Sequence, residues 1–302
     1  TDLAYKENWV DKDIHIKDDI EESTMVDKGL NSRLLDYIEP AKIVIQPITE
    51  GYTEEQIWDI FNIIYRHINT NDEIVIDVTH AFRSLPMLAI VLIDYLKSLK
   101  NVSVSGLFYG AFEALGSYSR AKEIPVEKRD VSILNLTAFS QLQDWSKAAH
   151  NLVKYGNSEK IVELTQSQIR PILIATAGKD IAASNLRKFA DNLSPIFDSI
   201  RTARGKNITF NKSYGELKEL LPLIKMDLIA PLSPIISLIE DRLSAMESTD
   251  TVLNSFRAVS WCIEYGWIQQ GYTILVETII TAVLRDINLD DINHLNRTIA
   301  AQ

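Results

Sequence analysis

The spacing of apolar residues changes character near position 137. Before it, short apolar runs alternate with helical stretches. Residues 41–46 (AKIVIQ) form a β-branched run that predicts a strand. Gly51 and Thr53 then lead into a helix whose first turn holds Glu54 and Glu55, where the helix dipole favours anions. In that helix Ile57, Ile60, Phe61, Ile64 and Ile68 recur at helical spacing. After a turn at 69–72, residues 73–78 (EIVIDV) are apolar on both faces apart from Asp77, as in strands of a parallel sheet covered by helices on both sides. Pro86 sits well in the first turn of a helix running to about Lys97. Residues 102–109 (VSVSGLFY) predict the next strand and 132–136 a last short one. This order implies an α/β domain with a Rossmann-like, doubly wound parallel sheet over residues 1–137.

From 138 to 302 the strand signals stop. Residues 141–155, 158–175, 180–201, 213–224, 232–247, 251–269 and 271–287 all carry helical periodicity, so an all-α domain follows the α/β one. The opening TDLAYKENW lacks an initiator Met and reads as loop, which points to a missing N-terminal segment.

Composition narrows the class. Of the 302 residues 46% are hydrophobic and 24% charged, the balance of a soluble globular protein, and no apolar run reaches the roughly 18 residues of a membrane span. With one cysteine, Cys262, an internal disulfide and a Cys-based zinc site are excluded, and a cytoplasmic location is the default. Cys262 lies beside Trp261 in an apolar pattern and reads as a small buried hydrophobe. The formal net charge of -10 argues against a large duplex-binding surface but leaves room for a small anion held by local donors.

Those donors are predictable. Open parallel sheets bind ligands beyond the carboxyl ends of their strands. Here that edge collects Asp77, Thr79, His80, Ala81, Phe82, Arg83 and Ser84 after one strand, Tyr109, Gly110 and Ala111 after the next, and the region 48–53. Arg83 can grip phosphate with a forked guanidinium. Thr79, Ser84 and the amides at the helix start can donate to phosphate oxygens. Phe82 and Tyr109 offer faces for a base, and Gly110 permits close approach. Each residue also has a plainer reading. Asp77 can cap the loop, His80 can be structural, Phe82 and Tyr109 can be core aromatics, and Arg83 can pair with Asp77 or Asp94. No GxxxxGK[ST], GxGxxG, HExxH or GxSxG is present, which leaves nucleotide-loop, zinc-hydrolase and serine-elbow chemistries unsupported.

The block DVTHAFRSLP, followed by a helix and VSVSGLFYGAFE, resembles the CRISPR-associated DxTHG-motif family, whose members carry a CRISPR-associated Rossmann-fold (CARF) domain. Trp9, ITEGYTEEQIWDIFNII (48–64), LNLTAFSQLQDWSKA (134–148) and WCIEYGWIQQGYTILVETI (261–279) are similar to further family elements. Ala81 replaces the Gly of the motif. The resemblance implies a homodimer or higher homo-oligomer with cyclic oligoadenylate, most simply the tetra-adenylate ring, as activator across the two-fold axis. Carried over by position, it implies that Thr79, His80, Arg83 and Ser84 line the ligand site with Tyr109, Gly110 and Ala111 from the neighbouring loop, with no metal or other cofactor. It also implies a helical HEPN ribonuclease cutting single-stranded RNA in antiviral defence. HEPN catalysis needs Arg followed four to six residues later by His. No His of this chain has an Arg at that distance, so no catalytic residue is nominated. Such a motif lies beyond Gln302, or has been removed or mutated. The alternatives are a sensor and dimerisation module with another effector, and a ring nuclease acting on its own ligand. For RNA, the visible basic cluster is Arg201, Arg204 and Lys206, which also reads as a solvated loop.

Overall fold

The computed structural model describes residues 10–17, 22–79, 84–224 and 228–302. It divides into two units, residues 1–140 and 141–302, each described by itself.

The first unit opens with an antiparallel hairpin, β1 (Lys12–Lys17) and β2 (Glu22–Asp27). A short helix, α1 (Leu30–Leu34), follows. Asp11 ties the hairpin's start to this helix by accepting from the Gly29 amide at 2.7 Å and the Ser32 hydroxyl at 2.9 Å. These donors hold its carboxyl below the usual range. The predicted strand at 41–46 is not one. Pro40–Lys42 forms a 3-10 turn, with Pro at its start, and the residues after it pair with no strand among the described residues. A β-branched run becomes a strand only where a neighbour meets its backbone, and Val44 is left exposed.

Helix α2 (Glu54–His67) begins as predicted, with the Thr53 side chain accepting from the Gln56 amide and Glu54 and Glu55 in its first turn. Strand β3 (Glu73–Asp77), helix α3 (Ser84–Lys100) and strand β4 (Ser103–Gly110) then form the unit's centre. After a short helix α4 (Tyr118–Glu123), strand β5 (Ile133–Asn135) completes a three-stranded sheet of order β3-β4-β5. β3 and β4 are parallel, with a register irregularity between Ile74 and Val75. β5 is antiparallel to β4, so the sheet is mixed and the expectation of a wholly parallel sheet is corrected. The connection from β4 to β5 is long enough for a crossover, but it holds only the short helix α4 and two 3-10 turns; a parallel partner needs a connection that carries the chain back along the sheet, normally a packed helix. β3 is also less enclosed than its apolar sequence implies. Its residues alternate between exposed and half-buried, and Val75 is 63% exposed.

Helix α3 serves two small cores. Ile93 joins Val78 and Leu107, while Leu92 and Leu96 join Val102, flanked by Phe61, Ile64 and Tyr65 of α2. Lys100, the last residue of α3, closes the far end of α2 by donating to the Tyr65 and Ile68 carbonyls at 2.5 and 2.6 Å. At the edge where β3 and β4 start, Asn71 and Asn101 take left-handed conformations, φ 67° and 52°. Their side chains are joined at 2.7 Å. Asparagine tolerates this region better than other residues with a Cβ.

Helix α5 (Thr137–Tyr155) carries the chain across the division. The second unit continues with α6 (Glu159–Ala175), α7 (Ile181–Arg201), α8 (Gly205–Thr209), α9 (Lys212–Leu220), α10 (Ser233–Ser244), α11 (Val252–Tyr265), α12 (Ile268–Asp286) and α13 (His294–Ala300). Its core is continuous, running through Trp145, Phe189, Tyr214, Ile236 and Cys262. Asn254, fully buried, bridges two loops by donating to the Thr209 and Glu247 carbonyls and accepting from the Glu247 amide. Gly266 ends α11 at φ 71°, a left-handed stop that lets the Trp267 amide reach the Cys262 carbonyl at 2.8 Å. No described helix is long and apolar enough to cross a membrane.

Candidate functional site at the strand ends

The carboxyl ends of β3 and β4 lie side by side because the two strands are parallel. Hydrogen bonding continues past β3, the Val78 amide donating to the Phe108 carbonyl at 3.0 Å. Asp77 accepts from the Thr79 amide at 2.7 Å, so its carboxylate turns the chain out of the sheet. This is the capping reading of Asp77, and that oxygen is committed to the loop.

Thr79 makes the contact that joins the two strand ends. Its hydroxyl accepts from the Gly110 amide at 2.7 Å. A Cβ built on Gly110 would stand 3.1 Å from the Thr79 methyl and 3.3 Å from its hydroxyl. A side chain here would push the threonine back by a few tenths of an ångström, so glycine lets the threonine close on the backbone rather than leaving open space above it.

Tyr109 is half-buried against the Val78, Ile93 and Leu107 cluster, and its hydroxyl donates to Glu113 at 2.7 Å. That bond raises the phenol's pKa and lowers the carboxyl's. Its ring is thus partly a core aromatic, and its hydroxyl is engaged. Ala111 donates its amide to the Ser132 carbonyl at 3.0 Å, which fixes the loop after β4 to the start of β5. The segment 48–53 comes close to the same edge: a Cβ on Gly51 would lie 3.8 Å from the Leu85 side chain in the first turn of α3.

The structure thus brings together Asp77, Thr79, Tyr109, Gly110 and Ala111, and Ser84 is the first residue of α3. His80, Ala81, Phe82 and Arg83 lie outside the described residues. Two participants escape sequence reasoning, Glu113 and Ser132. Glu113 stands four positions after Tyr109, in the 3-10 turn Phe112–Leu115, and that spacing is the signal that would have found it. Ser132 contributes only a carbonyl, which no residue type announces.

Against known families, residues 8–113 match the family described as CRISPR system endoribonuclease Csx1, CARF domain. Residues 141–257 match a second, CRISPR-associated protein MJ1674, second domain. Both matched families are CRISPR-associated, and the first is a CARF domain. A relative named CRISPR-associated protein MJ1674, from Methanocaldococcus jannaschii, is 27% identical over 128 residues, which is 41% of this chain. The matched stretch spans 19% of that relative's length. The strand-end cluster falls inside the first matched region, and the helical unit holds all of the second.

The helical unit presents no Arg–His pair at the spacing that HEPN chemistry requires. Arg285 is held by Asp250 at 3.1 Å and Asp291 at 2.5 Å, and Arg297 is bonded to Glu277 and to the Thr281 hydroxyl. His294 opens α13. Cys262 is wholly buried, and that burial pushes its thiol up to about 11, so it is a protonated packing group at neutral pH. Within the basic cluster foreseen at 201–206, Arg201 pairs with Asp198 at 2.9 Å.

Proposed function

We propose that this protein is a cyclic-oligoadenylate sensor of type III CRISPR antiviral defence. Its ring site is formed by Asp77, Thr79, His80, Ala81, Phe82, Arg83, Ser84, Tyr109, Gly110 and Ala111 of two chains across a two-fold axis. The observation that carries this reading is the Thr79–Gly110 clasp, which holds two loops together at the carboxyl edge of a parallel strand pair inside a CARF match. Asp77 shapes the loop, Arg83 supplies the charge for phosphate, and the start of α3 supplies amides. No metal or other cofactor enters this reading.

The test is calorimetry with cyclic tetra-adenylate on the wild type and Arg83→Ala. A charge-assisted phosphate contact is worth roughly 1.5–3 kcal/mol, and Arg83→Ala should lose that much affinity. Unchanged binding overturns the site assignment.

The output proposed for the sensor is a metal-independent HEPN ribonuclease acting on single-stranded RNA, by an imidazole acting on the 2′-hydroxyl and a guanidinium stabilising the phosphorane. A second reading, a sensor module without nuclease chemistry of its own, is favoured by the engagement of Arg285 and Arg297 with carboxylates. Ring-stimulated cleavage of RNA in EDTA supports the first reading, and ring binding with no cleavage supports the second.

A further inference from the structure

The helical unit contains eight arginines in an acidic protein. Five are held by carboxylates: Arg201, Arg242, Arg257, Arg285 and Arg297. Arg170 and Arg187 make no ion pair or side-chain hydrogen bond with a described residue, yet both line one cavity of about 410 Å³. They come from different helices, α6 and α7, joined by a short bend around Gly178. Arg170 lies eight residues before Gly178 and Arg187 nine after it; Gln166 lies twelve before and Asp191 thirteen after. Two helices joined by a short bend run antiparallel. That spacing puts Arg170 and Arg187 at about the same level on the two helices, and Gln166 and Asp191 one turn further on. Ile169, fully buried at its base, and Leu173 supply an apolar floor between them.

The chemistry along the groove is graded. Two forked cations at one level suit the oxygens of a single phosphate. The apolar floor suits the face of a base or sugar. Gln166 and Asp191 suit hydroxyl or amino groups at the far end. The volume falls in the usual range for a small-molecule site, about 300–1,000 Å³. We propose that the α6–α7 groove binds a phosphate-bearing nucleotide unit, taken either as a free mononucleotide or as part of a single-stranded RNA. This site is separate from the ring site and does not depend on that reading.

The experiment uses the full chain and three probes: a fluorescent ten-nucleotide single-stranded RNA, AMP and inorganic phosphate. Binding is measured across a salt series for the wild type, Arg170→Gln, Arg187→Gln, the double variant and Lys154→Gln. Both groove arginines are exposed, so circular dichroism should match the wild type. The double variant is expected to lose at least about tenfold in affinity for the probe that binds. If that probe is RNA, its log–log salt slope falls by about 1.4, near 0.7 for each phosphate contact removed. Lys154→Gln, an exposed cation outside the groove, should stay within about twofold. Loss confined to RNA assigns a strand as the ligand, and loss extending to AMP assigns a free nucleotide. No binding of RNA or AMP to the wild type, equal binding by the double variant, or an equal loss in Lys154→Gln overturns the proposal. Binding of cyclic tetra-adenylate by the double variant should be unchanged, which keeps this test distinct from that of the ring site.

Discussion

The helical unit gathers its apolar side chains into one cluster reaching from Trp145 to Ile274, whereas the α/β unit divides its described core between two trios that both draw on α3. The larger cluster spreads each side chain's contacts over many neighbours. In the smaller ones a single residue is a large share of the whole, and polar contacts at the strand ends take over part of the work. The contrast separates a unit organised by packing from one organised by specific hydrogen bonds around its loops, the usual arrangement where loops bind and a scaffold holds them.

The sharpest way to break this contrast is to remove core side chains. Phe189→Ala should cost about 3–5 kcal/mol and Leu107→Ala about 2–5, read by urea unfolding at pH 7. The contrast fails if Phe189→Ala costs less than 1 kcal/mol. Next is Asn254→Ala, which strands the Glu247 amide and carbonyl and leaves the Thr209 carbonyl with the Thr251 amide alone. A loss of about 2–3 kcal/mol is expected, and a loss below about 0.5 would show that the unit's polar contacts are dispensable. Thr79→Val keeps the shape of the clasp but removes the acceptor for the Gly110 amide. It should cost about 1–2 kcal/mol of stability and weaken ring binding in calorimetry. Equal ring affinity would detach the clasp from the site.

The smallest effect is absent at neutral pH. Burial raises the Cys262 thiol from 9.0 to about 11 and the Tyr265 phenol from 10.0 to about 12. Both groups hold their protons more tightly folded than unfolded. Their contribution to stability should therefore be flat below pH 9 and be lost as pH rises through 9–11 and then 10–12. Cys262→Ala should flatten the lower part of that decline in pH-dependent denaturation. A thiol reagent that labels native Cys262 at pH 7 as fast as the unfolded chain would contradict its burial.

The order β3, loop, α3, β4 is legible because apolar runs of strand length alternate with helical periodicity, and Pro86 and the Thr53 cap mark starts. The helices of the second unit are legible for the same reason. The hairpin β1–β2 is hidden by its charged, mixed composition, KDIHIK and ESTMVD. The direction of β5 is hidden because Ile133–Asn135 is three residues long and its orientation is decided by the connection that precedes it. The run 41–46 misleads because β propensity says nothing about whether a partner is present. Of the site, the rule that ligands gather at carboxyl strand ends locates Asp77, Thr79 and Tyr109 to Ala111. The bonds from Thr79 to Gly110 and from Tyr109 to Glu113 are tertiary facts that spacing only suggests. The groove at Arg170 and Arg187 is illegible to a search for adjacent cations, because the bend at Gly178 and not the sequence makes them neighbours.

The joined asparagines at the opposite edge of the sheet have a consequence for how this domain can change over generations. Asn71 and Asn101 set the entry turns of β3 and β4 in one conformation and fasten them to each other. The starting points of both strands are then fixed independently of whatever follows at their far ends. Residues can be exchanged or inserted after Thr79 or after Gly110 while strand alignment is kept from below. A library that randomises only those loops can explore new ligand preferences on an unchanged frame, provided the two asparagines are left alone.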